Sequence, residues 1–141
     1  MATETRHAKR GQDPLHGALW VLQVLIAAAF LFFGGMKLTL GPEDVAGATG
    51  WAGSLGLLRF IGTSEVLGAI GLIVPSATRI VPRLTPVAAL ALATVVLLAA
   101  GVHMGRNEYP QMITPLVLAA LLLVIWWGRD RARPIPPRSE G

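Results

Sequence analysis

The sequence has no cysteine and few charged residues. Only 14% of its 141 residues are charged, whereas roughly 25% is usual for a soluble domain. Without cysteine the chain can form no disulfide, no thiolate nucleophile and no cysteine-ligated iron–sulfur cluster. Hydrophobic residues make up 53% of the chain, which is more than one soluble domain of this length can bury, so the excess is expected to face lipid. The composition therefore predicts an integral membrane protein.

Four apolar stretches have the length of membrane-spanning helices, which need about 20 residues each. The predicted spans are residues 15–37, 57–74, 84–104 and 112–127. They form a membrane domain over residues 15–128, between a basic tail (1–14) and a disordered tail rich in arginine and proline (129–141). The predicted fold is all-α, a bundle of four transmembrane helices.

Basic residues are distributed unevenly between the loops. Nine of the twelve Lys and Arg residues fall in the two tails and in the loop between the second and third spans. The positive-inside rule then predicts that both termini are cytoplasmic in a multi-pass protein of the cell membrane. The expected partners of these basic tails are membrane lipids rather than nucleic acid.

Glu65 is the charged residue that lies deepest in a predicted span. A charged side chain there costs about 2.5–3.5 kcal/mol on insertion scales, so it is seldom accidental. Glu65 lies roughly 12 Å from the start of its span, where an ionised carboxylate needs a partner or takes up a proton. Arg59 is a poor partner, because the two side chains point about 120° apart on one helix. The candidates are Lys37 and His103, which close the first and third spans on the same side.

Other polar and small residues accompany these candidates. Gln23, Phe30 and Lys37 are spaced by sevens, so they share one stripe of the first helix, which is expected to face inward. We predict ligand-binding roles for Gln23, Phe30, Arg59 and Ser64. The glycines of the first two spans allow close helix packing or leave room for a flat ligand. Association of two chains through these glycine faces would give a homo-oligomer.

Segments of the first three spans resemble the DoxX-like family of small four-helix membrane proteins. They are residues 32–37 (FFGGMK), residues 59–75 (RFIGTSEVLGAIGLIVP) and the run that ends at His103. The pattern Gly-x-x-Glu-x-x-Gly-x-x-Gly-Leu-x-x-Pro in the second segment is the most specific. The resemblance implies a four-helix bundle. Some members of this family are associated with quinone-linked oxidation of sulfur compounds, and others with membrane complexes that handle oxidative stress. The resemblance implies a role of one of these kinds.

Three functions remain open at this point. The first is a quinone- or lipophilic-ligand-binding subunit of a membrane redox system, or a small quinone-linked oxidoreductase. Its predicted catalytic residues are Glu65, His103 and Lys37. Glu65 and His103 deliver protons, and Lys37 or Arg59 stabilises negative charge on the quinone oxygen. The second is a non-catalytic scaffold or accessory subunit in which the same residues form a structural network. The third is an isomerase or epoxide-opening enzyme that acts on a lipophilic molecule, with Glu65 and His103 as acid and base.

Several cofactors lack the residues that would hold them. The sequence has no pair of intramembrane histidines for a haem, no zinc-binding spacing such as HExxH, and no glycine-rich phosphate loop after a strand. We therefore expect no metal, haem or flavin, and a quinone is the one cofactor that the pattern suggests. Electrons for a quinone would have to come from a redox partner protein or from a bound cofactor.

Overall fold

The computed structural model describes residues 13–49 and 53–139, and within these two ranges it contains helices and no strands. The α-helices are α1 (Pro14–Thr39), α2 (Pro42–Thr49), α3 (Leu55–Thr78), α4 (Leu84–Gly105) and α5 (Ile113–Trp127). A short 3-10 helix (Tyr109–Met112) precedes α5, and a π-helical turn (Gly128–Ala132) follows it.

Four helical stretches are long and apolar enough to cross a bilayer. They are Pro14–Thr39, Leu55–Thr78, Leu84–Gly105 and Tyr109–Ala132. The prediction of an all-α protein with four spanning helices is confirmed. All four stretches extend beyond the predicted spans, because backbone hydrogen bonding continues into polar end residues that a hydropathy pattern does not count.

Side-chain caps fix where two of the spanning helices begin. The Asp13 carboxylate accepts a hydrogen bond from the Leu15 N–H (3.0 Å), and Pro14 occupies the first turn. The Ser54 hydroxyl accepts one from the Leu57 N–H (3.2 Å). Each cap satisfies an N–H group that has no partner inside its helix.

The long loop after α1 contains the short helix α2. Pro42 begins this helix, and Glu43 and Asp44 occupy its first turn. Acidic side chains stabilise a helix there because they interact with the positive end of its dipole. Val45 is completely buried, so α2 packs against the bundle through this side chain.

The core lies between the four spanning helices. α1 packs against α3, α3 against α4, and α4 against α5. Most outward-facing side chains are large and apolar, as lipid contact requires. The buried core is built from Ile26, Ala27, Phe30, Ala69, Leu72, Ala89, Leu92, Ala93, Val96, Ala119, Leu122 and Ile125.

The turn between α3 and α4 is held by the C-terminal segment. Arg79 and Val81 both have positive φ (59° and 48°), a conformation that is unfavourable for a β-branched residue such as Val81. Arg79 donates to the carbonyl oxygens of Pro136 (3.2 Å) and Pro137 (3.3 Å), and the Arg138 N–H donates back to the Arg79 carbonyl (3.0 Å). The turn and the tail therefore support each other.

The helical path after α5 continues past residue 129, where the predicted tail begins. The helical path continues through the π-helical turn to Ala132, and Arg129 is 3% exposed. The reason is that the Arg129 side chain reaches back into the bundle, where it finds hydrogen-bond partners.

The two ends of the bundle differ in charge. We call them the Lys37 end and the Arg129 end. The contacts of Arg79 with the tail and the ion pair between Asp13 and Arg133 place the second-loop and C-terminal arginines together at the Arg129 end. The predicted basic tail before residue 13 lies outside the described residues. That the Arg129 end is cytoplasmic remains a prediction.

Candidate functional site

Helices α1 and α3 meet backbone to backbone at two glycines. A Cβ built on Gly34 would lie 2.9 Å from the Gly62 carbonyl oxygen, and a Cβ on Gly62 would lie 2.9 Å from the Gly34 oxygen. Backbone oxygens cannot swing aside as flexible side chains do, so this crossing requires glycine on both helices. It brings Lys37, one turn after Gly34, opposite Glu65, one turn after Gly62.

Lys37 and Glu65 form an ion pair at this crossing. The Lys37 Nζ lies 2.8 Å from Oε1 and 2.6 Å from Oε2 of Glu65. The exposed fractions of the two side chains are 15% and 7%. Within the described ranges Glu65 pairs with Lys37, one of the two bridges that the sequence left open. A pair this far removed from water depends on its short contacts to offset lost hydration.

Arg59 joins the same site through the backbone. Its Nη1 donates to the Lys37 carbonyl oxygen at 2.5 Å, an acceptor in the last turn of α1 that has no partner within the helix. As the helical geometry predicts, Arg59 does not pair with Glu65. It holds the end of α1 from which Lys37 projects.

His103 is held elsewhere at the Lys37 end. Its Nδ1 lies 2.7 Å from Oε2 of Glu108, and Arg106 contacts the other oxygen of that carboxylate at 2.9 Å. The alternative bridge between His103 and Glu65 is not formed in the described part of the chain. The signal for this local pairing was a histidine in the last turn of α4 with a glutamate five residues later.

The other predicted ligand residues do not join Lys37 and Glu65. Phe30 is buried in the core, where its side chain is 3% exposed. The Ser64 hydroxyl donates to the Phe60 carbonyl within its own helix (2.8 Å). Gln23 faces inward, as predicted, but fourteen residues of helix place it roughly 21 Å from Lys37.

A shallow groove of about 330 Å³ lies between α3 and α4. Its walls are almost entirely apolar, and they include Gly68, Gly71 and Ala88. Ser64 contributes its one side-chain hydroxyl, which is already hydrogen-bonded. The groove does not include the Lys37–Glu65 pair, so the polar pair and the groove are separate features.

A second polar cluster lies at the Arg129 end. Gln23 is completely buried and donates to the Leu72 carbonyl (2.7 Å), while its own Oε1 accepts from the Arg129 Nε (2.5 Å). The Arg129 Nη1 lies 3.2 Å from His16 Nδ1, and the Trp20 indole donates to His16 Nε2 (3.1 Å). The guanidinium lies over the Trp20 ring, 5.4 Å from its centre. We call these four residues the Arg129 cluster.

The sequence contained one signal for the Arg129 cluster. Gly128, directly before Arg129, leaves no room for a side chain, since a Cβ there would lie 2.5 Å from a methyl group of Leu19. Such a contact brings the end of α5 against α1, close to the inward-facing Gln23. The positive-inside rule places Arg129 with the basic residues of the tail, because a charge count does not separate buried from exposed arginines.

In the part of the chain that the structure describes, no group of three or more acidic or histidine side chains could hold a metal ion. Comparison with protein-family models matches residues 21–125 to the DoxX-like family. This stretch contains all seven residues predicted for the site, whereas His16, Trp20 and Arg129 lie outside it. No curated protein and no solved structure matches the chain.

Proposed function

The chain belongs to the DoxX-like family, and we propose that it is a subunit of a membrane redox system that binds a quinone, or a lipophilic ligand with a similar carbonyl oxygen, at Lys37. The proposal starts from two established features, the family and the four helices able to span a bilayer. It adds a ligand and a position for that ligand.

The observation that carries the proposal is that the Lys37 ammonium has one N–H donor more than its contacts with Glu65 use. An ammonium group has three N–H donors. Two contacts go to the two oxygens of Glu65, which leaves one donor for another acceptor. The Lys37 side chain is 15% exposed, and we propose that the ligand oxygen approaches this donor from outside the bundle.

Each residue of the pair has a distinct task in this proposal. Lys37 donates a hydrogen bond to the ligand carbonyl and stabilises negative charge that develops on it during reduction. Glu65 does not touch the ligand; it positions the ammonium. Arg59 holds the backbone of Lys37 in place. Reduction of a quinone to a quinol takes two electrons and two protons. In this proposal the electrons come from a redox partner protein, and the protons come from the water at the Lys37 end of the bundle.

Titration with a short-chain quinone tests the binding step. We expect decylubiquinone to bind the purified protein in mild detergent at one saturable site, as measured by calorimetry. Replacing Lys37 by Met should weaken binding about tenfold or more, because a hydrogen bond from a charged donor contributes about 1.5–3 kcal/mol. The Glu65→Gln variant, which keeps the shape of the side chain, should also bind less tightly.

Glu43→Gln is the matched control, since Glu43 is an exposed carboxylate at the same end of the bundle. Decylbenzene, which has a ring and a tail without carbonyl oxygens, is the control ligand. Equal binding of decylubiquinone by the wild type and Lys37→Met would contradict the proposal. So would equal binding of decylubiquinone and decylbenzene.

A second candidate function is a non-catalytic accessory subunit. It is favoured by the close contact of Gly34 with Gly62 beside an ion pair that uses both oxygens of Glu65, an arrangement that also serves to lock two helices together. Under this function decylubiquinone does not bind. Glu65→Ala then lowers the midpoint of thermal unfolding and abolishes co-purification with the partner subunit.

The acid–base enzyme has no comparable support. It needs Glu65 and His103 at one reaction centre, and His103 pairs with Glu108 instead.

A further inference from the structure

The Arg129 cluster contains more hydrogen-bond donors than acceptors. A neutral imidazole accepts at one ring nitrogen and donates at the other. Both nitrogens of His16 nevertheless face a donor, Trp20 on one side and Arg129 on the other. One of these two donors is therefore left unsatisfied at any moment.

Arg129 itself has an unused donor group. Its Nη2 is buried and has no hydrogen-bond partner among the described residues. Gln23 supplies the single amide oxygen in the cluster, and it accepts from the Arg129 Nε and not from Nη2. What the cluster lacks is a hydrogen-bond acceptor.

The cluster is also unbalanced in charge. Arg129 is 3% exposed, and within the described residues no carboxylate pairs with it. The nearest acid along the tail, Asp130, pairs with Arg131, and Asp13 pairs with Arg133. A buried cation without an anion is costly. An oxyanion would supply both the missing charge and the missing acceptor.

The position of Arg129 indicates which oxyanion the site meets. Arg129 lies in the last turn of the fourth stretch able to span a membrane. Since about 20 residues cross the hydrocarbon core, the end of a 24-residue stretch is expected at the level of the lipid headgroups. The surrounding exposed arginines raise the local concentration of anions. The surface ion pair of Asp13 with Arg133 joins the same two segments and, as an exposed pair, opens at little cost.

We propose that the Arg129 cluster binds the phosphate group of an anionic phospholipid in the leaflet at its end of the bundle. The Arg129 Nη2 donates to a phosphate oxygen, and Gln23 and His16 hold the guanidinium in position. Trp20 covers its face, as aromatic rings do at the membrane interface. This proposal does not depend on quinone binding at the opposite end.

The test compares how lipids stabilise the wild type and three variants, Arg129→Gln, Arg129→Lys and the control Arg131→Gln. Thermal unfolding is measured in mild detergent with added dioleoylphosphatidylglycerol or with dioleoylphosphatidylcholine, which has the same chains and no net charge. We expect the wild type to bind the anionic lipid about tenfold or more tightly than the zwitterionic one. Arg129→Gln should abolish this preference. Arg129→Lys, which keeps the charge and loses the planar fork, should retain only part of it.

Arg131→Gln is the matched control, because it removes one arginine from the same turn whose side chain is 72% exposed. This variant should keep the lipid preference. Raised salt should weaken any contribution of the exposed arginines and leave that of Arg129 largely in place. A wild type without lipid preference overturns the proposal, and so does an equal preference in Arg129→Gln and Arg131→Gln. If Arg129→Gln does not fold, the wild type and Arg129→Lys decide.

Inorganic phosphate and glycerol phosphate form a separate arm of the experiment. If they raise the unfolding midpoint of the wild type as much as the lipid does, and fail to do so for Arg129→Lys, the site binds a soluble phosphate. If they have no effect while the lipid does, the phosphate belongs to a lipid headgroup.

Discussion

The two ends of the bundle handle buried charge in opposite ways. At the Lys37 end a cation and an anion meet and neutralise each other. At the Arg129 end a cation is enclosed by the neutral side chains of Gln23, His16 and Trp20. Removing either partner of a buried ion pair leaves the other charge uncompensated, whereas a buried cation without a partner can still bind an anion from outside the protein. The comparison suggests a structural clamp with one spare donor at one end and an anion site at the other.

Breaking the pair at the Lys37 end should have the largest effect. We expect Glu65→Leu to lower the free energy of unfolding by about 3 kcal/mol, because it leaves the Lys37 ammonium without its anion. The double variant Lys37→Met with Glu65→Leu should recover most of this loss, since it removes both charges. Denaturant unfolding in mild detergent measures the difference, with Glu43→Gln as the exposed control. A double variant no more stable than Glu65→Leu would show that the lost stability does not come from the unpaired charge.

Widening the glycine crossing should have the next largest effect. Gly34→Ala places a methyl group 2.9 Å from the Gly62 carbonyl oxygen and 3.0 Å from Cβ of Glu65. We expect a loss of about 2 kcal/mol, typical of overpacking. The neighbouring Gly35→Ala is the control, because nothing lies within 4 Å of its Cβ position. Similar unfolding midpoints for the two variants would argue against a tight crossing at Gly34.

Removing the acceptor at the Arg129 end should cost less than breaking the pair. Gln23→Leu takes away the oxygen that Arg129 Nε uses and the donor to the Leu72 carbonyl. We expect a loss of about 1.5 kcal/mol, the cost of a buried donor left without its partner. Thr94→Val is the control, since the exposed Thr94 bonds only within its own helix, and its effect should stay within about 0.5 kcal/mol. Equal unfolding energies for both variants would mean that Gln23 does not stabilise Arg129.

The smallest expected effect is a pH dependence at the start of α1. The hydrogen bond from Arg133 holds the pKa of the Asp13 carboxyl below its ordinary value of 3.8. A carboxyl with a lower pKa in the folded protein stabilises it above the ordinary pKa, and this stability is lost as the pH falls through the folded value. Asp13→Asn keeps a helix cap and loses the charge. The wild type should therefore be slightly more stable at about pH 6, and the difference should vanish well below about pH 4. A difference independent of pH would exclude this ion pair as its source.

The fold was predictable from the sequence because bilayer thickness and apolar composition determine it together. Span lengths and the inward stripe of Gln23, Phe30 and Lys37 follow from hydropathy and helical geometry alone. Where the helices end was less predictable, since hydrogen bonding carries α3 to Thr78 and the fourth stretch to Ala132.

The candidate sites were less predictable because they depend on which helices touch. Lys37 and His103 were equally placed as partners for Glu65 until the contact of Gly34 with Gly62 joined α1 to α3. The Arg129 cluster joins residues 106 positions apart, and its geometry depends on the path of the chain after α5. A single sequence does not show which helices pair, so it predicts neither the contact of Lys37 with Glu65 nor that of Gln23 with Arg129.

The hydrogen bonds between Arg79 and residues 136–138 have a consequence for biogenesis. The turn between α3 and α4 is translated well before the tail that supplies its partners. During synthesis the second and third spans are therefore joined by a turn in which Arg79, a residue with positive φ, still lacks these contacts. The turn acquires these hydrogen bonds only when residues 136–138 have left the ribosome, which is after all four spanning helices have been synthesised.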